Sequence, residues 1–344
     1  MFIESLIDIF QPLLLLIILL GVSLGIIWGA LPGLSTTMAM ALLIGFTSTM
    51  EQDIAICFML GVYTGSVFGG AISAILINIP GTPDAVPTMI EGHALAKKGE
   101  AGTALGTAIF GSFIGNWIGI LILIFLMPFL IAIALNFKSW EMFLLSIIGI
   151  SVCGTMCSGE LPIKGWIVGW IGILIAMVGI DPIYGIERFT FNNPNFYDGF
   201  NYIPILIGLF GICEIVKTLP NKNKSPIPEK VGKLFLPLKK LLSYVKTSIR
   251  SGLIGTFIGA LPGAGANVAS FLSYDIGKKR AKPEEKKLWG KGSYEAIVSA
   301  EVANNANIGG SILPTLALGI PGNAAAAALL AALTMKNVVV GPTI

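Results

Sequence analysis

Two apolar runs of this chain are broken by the same five residues. Gly29-Ala30-Leu31-Pro32-Gly33 returns 230 residues later as Gly259-Ala260-Leu261-Pro262-Gly263. A second pair follows in the same order: Gly69-Gly70 precedes Ile79-Pro80-Gly81, and Gly309-Gly310 precedes Ile320-Pro321-Gly322. Matched pairs in one order at similar spacing predict an internal duplication. In each copy Pro removes a backbone donor and clashes with the preceding turn, and Gly accepts the conformations that follow. Interrupted apolar segments at corresponding positions of two halves point to a binding site at the interruptions.

The surroundings of those breaks are those of a membrane protein. The chain is 54% hydrophobic and 12% charged, with a mean hydropathy of +0.83, where soluble domains are about one quarter charged. Apolar runs of bilayer-crossing length, roughly 17 to 25 residues, recur along it. The expected class is an all-α polytopic membrane protein with an inverted internal repeat and re-entrant helical hairpins broken at the Pro-Gly motifs. The alternating pattern of an outer-membrane barrel is missing. Helices are expected at 12–31, 34–49, 54–77, 103–127, 140–158, 163–180 and 202–219, then a broken segment at 251–276 and helices from 296 and 324. Asp84, Glu91, His93, Lys97, Lys98 and Glu100 read as a polar loop. Cys57, Cys153, Cys157 and Cys213 read as small buried hydrophobes, with no disulfide framework or zinc spacing.

Basic residues fix an expected orientation. Lys217 to Arg250 holds nine of the 22 Lys/Arg, and Asp275 to Lys291 holds seven. Such clusters mark the cytoplasmic face. Only the 24 residues Ser251 to Tyr274 lie between them, whereas two full crossings need about 40. This segment is therefore expected to enter from the cytoplasm, turn at Pro262-Gly263 and return. Counting spans backwards puts Lys97 and Lys98 inside and Glu51 and Asp53 outside, so the first hairpin opens outward and the second inward. Residues 1–219 are read as the first repeat with accessory helices, 220–250 as a basic cytoplasmic linker, and 251–344 as the second repeat. The second copy has only 22 residues after Gly322, against about 140 after Gly81 in the first. From this a C-terminally incomplete repeat is expected.

Four polar clusters sit where apolar helix is expected, and they supply the candidate substrate or ion site. The first contributes Pro32, Gly33, Ser35 and Thr36. The second contributes Asn78, Pro80, Gly81 and Thr82. The third contributes Pro262, Gly263, Gly265 and Asn267. The fourth contributes Glu301, Asn304 and Asn305, followed by Pro321, Gly322 and Asn323. A broken helix frees backbone amides at the new N-terminus, where the helix dipole favours anions. Freed carbonyls and Asn or Thr oxygens suit a transported Na⁺ or H⁺. No Lys or Arg lies near any break, so an anion would be held by helix N-termini and by hydroxyl or amide donors. Glu301 reads as the only carboxylate within a polar intramembrane track, a costly placement that is usually functional.

At these residues the chain resembles a known family. Ala300-Glu301-Val302-Ala303-Asn304-Asn305-Ala306 through Leu318-Gly319-Ile320-Pro321-Gly322-Asn323 is similar to a signature of the large membrane (permease) subunit of tripartite tricarboxylate transporters. Leu31-Pro32-Gly33-Leu34, Asn78 to Pro83 and Glu91 to Leu105 extend the similarity over essentially the whole chain. The resemblance implies a multi-pass protein of the bacterial inner (plasma) membrane. It implies a small membrane subunit and a periplasmic solute-binding protein as partners, di- or tricarboxylate substrates, and symport driven by a cation gradient. No cofactor, metal or nucleic acid is implied. The alternative function class is an ion channel with the Pro-Gly loops lining a pore, though a duplicated segment within one chain suits a channel less well. Enzymatic chemistry is not indicated, because no Ser-His, Cys-His or HExxH constellation lies in a span, and there is no phosphate-binding GxxxxGK[ST] loop.

Overall fold

Each Pro-Gly break is a short turn between two helices, and the helices beside it follow from its chemistry. The computed structural model describes residues 9–134, 136, 140, 144, 147, 162–180, 185–200, 232–234 and 236–341. The expected helix at 202–219, nearly all of that at 140–158, and Cys153, Cys157 and Cys213 lie outside the described residues.

Helix α1 (Pro12–Ala30) starts on a proline, whose missing N–H costs nothing in a first turn, and stops at Leu31 in an extended conformation. Its Leu13, Leu16, Leu19 and Ile27 face outward, as expected of a lipid-facing helix. Gly33 has a left-handed φ of 89°. The Ser35 hydroxyl then accepts from Met38 N at 3.1 Å and starts α2 (Thr36–Thr47). Helix α3 (Gln52–Ile77) ends at Asn78, which is left-handed at φ 55°. A 3₁₀ turn at Pro83–Ala85 leads into α4 (Val86–Lys97) and then α5 (Ala101–Ala134). Helix α6 (Pro162–Ala176), shorter than the expected 163–180 at its C-terminal end, precedes a small antiparallel ribbon of β1 (Gly179–Ile180) and β2 (Glu187–Arg188).

The later part repeats the pattern of the first. Short α7 (Leu238–Ser243) leads into α8 (Val245–Ala260), which stops at Leu261 with φ −84° and ψ 113°, the same angles as Leu31. Helix α9 (Gly265–Arg280) follows, then α10 (Pro283–Lys286), α11 (Tyr294–Leu318) and α12 (Ala324–Met335). Three described helices, Pro12–Ala30, Gln52–Ile77 and the Ala101–Ala132 part of α5, are long and apolar enough to cross a membrane. The chain is a helical membrane protein.

Glycine seams hold these helices at backbone contact. A Cβ on Gly21 would lie 2.5 Å from Phe58 O, and one on Gly25 2.5 Å from Val62 O; Gly29 meets Ser66 O in the same way. Both residue numbers rise together, so α1 and α3 run side by side in one direction. Helices α8 and α11 do the same: Gly255 meets Ala303 O, and a Cβ on Gly259 would lie 2.5 Å from Asn307 O. The second break of each set closes on the first, with Gly81 against Gly29 O and Gly322 against Gly259 O. Gly263 N also donates to Gly322 O at 2.9 Å.

The two ends of the bundle differ. At one end Lys98 Nζ donates to Lys291 O at 2.7 Å, Lys240 lies 5.0 Å over the Tyr294 ring, and Tyr294 OH donates to Glu100 at 2.7 Å. At the other, Lys336 Nζ donates to Ser48 O at 2.9 Å and to Met50 O, taking carbonyls just past the C-terminus of α2.

One sequence expectation fails here. The residues read as a polar loop, including Glu91, His93 and Lys97, form α4, with Glu91 and His93 buried. The helix forms because Pro87 suits a first turn and Glu91 finds donors in the folded chain. Its carboxylate accepts from Gly290 N (2.5 Å), Gly292 N (2.9 Å), Ser293 N (2.9 Å) and Tyr274 OH (2.6 Å).

The seams predict a sharp contrast between glycines. Gly25→Leu should lower stability by about 3 kcal/mol or more, because overpacking at backbone contact cannot relax locally. Gly45→Ala, with nothing within 4 Å of its Cβ, should be neutral or stabilising by up to about 1 kcal/mol. Thermal unfolding of the detergent-purified variants tests both.

Candidate functional site

The turns at the breaks aim new helix N-termini at one cavity. It has a volume of about 450 Å³ and is lined by Ser35, Thr36 and Thr37 at the start of α2 and by Gly263 to Val268 at the start of α9. Asn323, Ala324 and Ala325 at the start of α12, and Thr82, Pro83 and Asp84 at the 3₁₀ turn before α4, complete these walls. Small-ligand sites usually occupy about 300 to 1,000 Å³. Each helix N-terminus presents unpaired N–H groups and about half a positive charge. Three helices of 12 residues or more therefore supply a positive field, although no Lys or Arg lines the cavity among the described residues.

The three N-termini are not equivalent. Ser35 caps α2, and Asn323 Oδ1 caps α12 by accepting from Ala326 N at 2.8 Å. Helix α9 has no side-chain cap on its first turn among the described residues. Gly265, left-handed at φ 71°, opens that turn onto the cavity.

A polar chain forms the floor. Tyr63 OH donates to Asn323 Oδ1 (3.0 Å) and shares a hydrogen bond with Ser311 Oγ (3.0 Å). Asn323 Nδ2 donates to Tyr63 OH (2.8 Å) and Asn307 Oδ1 (3.2 Å). Tyr63 sits on α3, while Asn307 and Ser311 sit on α11, so the floor joins the first set of helices to the second. Ser270 of α9 donates to the Asp84 carbonyl at 2.8 Å.

The expected site residues divide. Ser35, Thr36, Thr82, Gly263, Gly265, Asn267 and Asn323 line the cavity. Pro32, Gly33, Pro262 and Pro321 shape the turns without lining it, as does half-buried Pro80. Gly81 and Gly322 are consumed by backbone contact, and Asn78 is an exposed helix terminus. Glu301 and Asn305 turn away towards α5. Glu301 accepts from Thr88 Oγ1 (2.5 Å), Ser112 Oγ (3.1 Å) and Asn305 Nδ2 (3.4 Å), and Asn116 Nδ2 donates to Asn305 Oδ1 at 3.3 Å. Asn304, on another face of α11, is fully buried. Helical spacing explains the split: positions four apart share a face, and adjacent ones do not. Tyr63, Asp84 and Asn307 line the cavity as well. Asn307 lies within the polar run already singled out and Asp84 beside Thr82, whereas Tyr63 gives no signal beyond being a tyrosine on a glycine-rich face.

Comparison with known proteins agrees with these observations. A family model described as "Tripartite tricarboxylate transporter TctA family" matches residues 15–344. An uncharacterized 52.8 kDa protein of the TAR-I ttuC' 3' region of Agrobacterium vitis is 35% identical over 327 residues, 94% of this chain and 64% of that protein. An uncharacterized protein of the TAR-II ttuC' 3' region of the same organism is 37% identical over 91 residues, 26% of this chain and 36% of that protein. The chain thus spans less than two thirds of the length of either relative. No solved structure matches.

The saturation of Glu301 by neutral donors predicts a stability role. Glu301→Leu leaves two hydroxyls and an amide without their acceptor and should cost roughly 3 kcal/mol; Glu301→Gln, which keeps an acceptor oxygen, should cost less. Thermal unfolding of purified protein distinguishes the two.

Proposed function

The chain belongs to the tripartite tricarboxylate transporter TctA family, and we propose on that premise that it is the permease subunit of a secondary carrier for organic di- or tricarboxylates. The observation that carries the reading is the convergence of three helix N-termini, from both sets of helices, on a cavity with no Lys or Arg among the described residues of its wall. Such a site suits an anion that must also leave: amides and hydroxyls hold a carboxylate without the fixed counter-charge of an Arg fork. The site comprises Ser35, Thr36, Thr82, Gly263, Gly265, Asn267 and Asn323, to which Tyr63 and Asn307 are added.

The architecture we propose is an inverted repeat of two broken helical hairpins. Three kinds of contact support it. Helices α1 and α3 run together in one direction from the end marked by Ser48 and Lys336. Helices α8 and α11 run together from the end marked by Lys98, Lys240 and Lys291. Each set closes its own break by glycine contact with a carbonyl. Residues 1–219 and 251–344 form the two repeats, with 220–250 as a cytoplasmic linker, and the basic end faces the cytoplasm of a bacterial inner membrane. Transport is driven by a cation gradient and proceeds by alternating exposure of the cavity as one repeat moves against the other around the tips. A small membrane subunit and a periplasmic solute-binding protein deliver the solute.

Uptake of radiolabelled citrate and a dicarboxylate panel into proteoliposomes tests this, with Na⁺ and pH gradients imposed separately and the solute-binding partner added or withheld. Gradient-driven, partner-dependent accumulation is expected, and Gly265→Leu, which crowds the uncapped amides, should reduce it at least tenfold. Flux that follows only the membrane voltage would favour a channel instead.

A further inference from the structure

We propose that Asp84 and Thr82, which line the cavity, and Asn304, buried behind them, form a Na⁺ site. Asp84 is 7% exposed, Thr82 1% and Asn304 0%. The Asp84 carboxylate faces the Asn304 amide and the Thr82 hydroxyl. Even so, Asp84 Oδ2, Thr82 Oγ1 and both polar atoms of the Asn304 amide are buried without a hydrogen-bond partner. The three groups face one another without closing to hydrogen-bond geometry, a costly arrangement for a folded chain. It contrasts with Glu91 and Glu301, whose oxygens are filled by donors.

The chemistry of the group selects the ion. One carboxylate oxygen, one hydroxyl oxygen and one amide oxygen form a hard-oxygen donor set carrying a single negative charge. A divalent ion asks for more carboxylates and more oxygens. A proton would neutralise Asp84 while leaving most of its neighbours unpaired, whereas Na⁺ engages all three oxygens together. No Lys, Arg or His contributes to the electrostatics of Asp84 among the described residues, and the one charged neighbour felt there is another carboxylate, Glu301, so the group favours a bound cation. The ion sits beside the helix N-termini that receive the anion, and there it offsets the negative charge the solute brings. The inference deepens the carrier reading by naming its coupling ion, and it rests on that reading for the coupling role alone.

The test is equilibrium ²²Na⁺ binding to the purified chain in choline buffer, with no organic anion present. Saturable binding is expected in the wild type, with no binding in Asp84→Asn and about tenfold weaker binding in Thr82→Val, a near-isosteric change that spares the fold. Gel filtration verifies that each variant is monodisperse. Absence of ²²Na⁺ binding in the wild type, or unchanged binding in monodisperse Asp84→Asn and Thr82→Val, overturns the site. Because no solute is present, binding without any citrate uptake would sink the carrier reading and leave the site standing. Uptake driven only by a pH gradient, with no ²²Na⁺ binding, would do the reverse.

Discussion

Backbone pressed against backbone at the two breaks is the contact on which the rest of this molecule depends. Gly81 against the Gly29 carbonyl and Gly322 against the Gly259 carbonyl hold each pair of turns together. No side chain fits there, which is why Pro-Gly and Gly-Gly pairs fall at matching places in the earlier and later parts of the chain. Without a hydrophobic drive between helices in lipid, close packing of small residues supplies much of the association. The same closeness satisfies a second demand. Non-helical backbone in a membrane protein persists only where protein or a wet cavity surrounds it, and here the turns of each pair cover one another while the helices that follow them start at the cavity.

Three buried carboxylates show how the polar interior is arranged. Glu91 is clasped by three backbone amides and a tyrosine, which ties α4 to the loop before α11. Glu301 is filled by two hydroxyls and an amide, which ties α11 to α4 and α5. Only Asp84 keeps an oxygen unclaimed, and only Asp84 lines the cavity. The first two act as fasteners, and the third is left available to a ligand. Between helix N-termini that favour an anion and a carboxylate that favours a cation, the cavity is polarised along its wall, a distribution suited to taking both charges together.

Much of this was legible in the residues. The breaks, their pairing and the helices around them follow from Pro and Gly in apolar runs, and seven of the eighteen expected site residues line the cavity. The others lie off the cavity for identifiable reasons. Glu301 and Asn305 sit in a conspicuous polar run, but the run is helical, so adjacent residues face different neighbours and only one face reaches the cavity. Glu91 and His93 looked like loop residues because their partners, Gly290 to Ser293 and the Ile75 carbonyl, lie far away in sequence or on another helix. Gly81 and Gly322 mark the site yet do not touch its contents, since their role is to let two backbones meet. Tyr63 was invisible as a site residue, because only the fold brings it to Ser311 and Asn323.

Both sets of helices, on the carrier reading, face one solute in a shared cavity. Single cysteines at Thr36 and at Asn267, in a chain whose four native cysteines are replaced by serine, test this through their reaction rate with a small methanethiosulfonate reagent. One carboxylate, added at rising concentration, is expected to slow labelling at both positions with the same half-maximal concentration. Protection at one position with unchanged labelling at the other would contradict it.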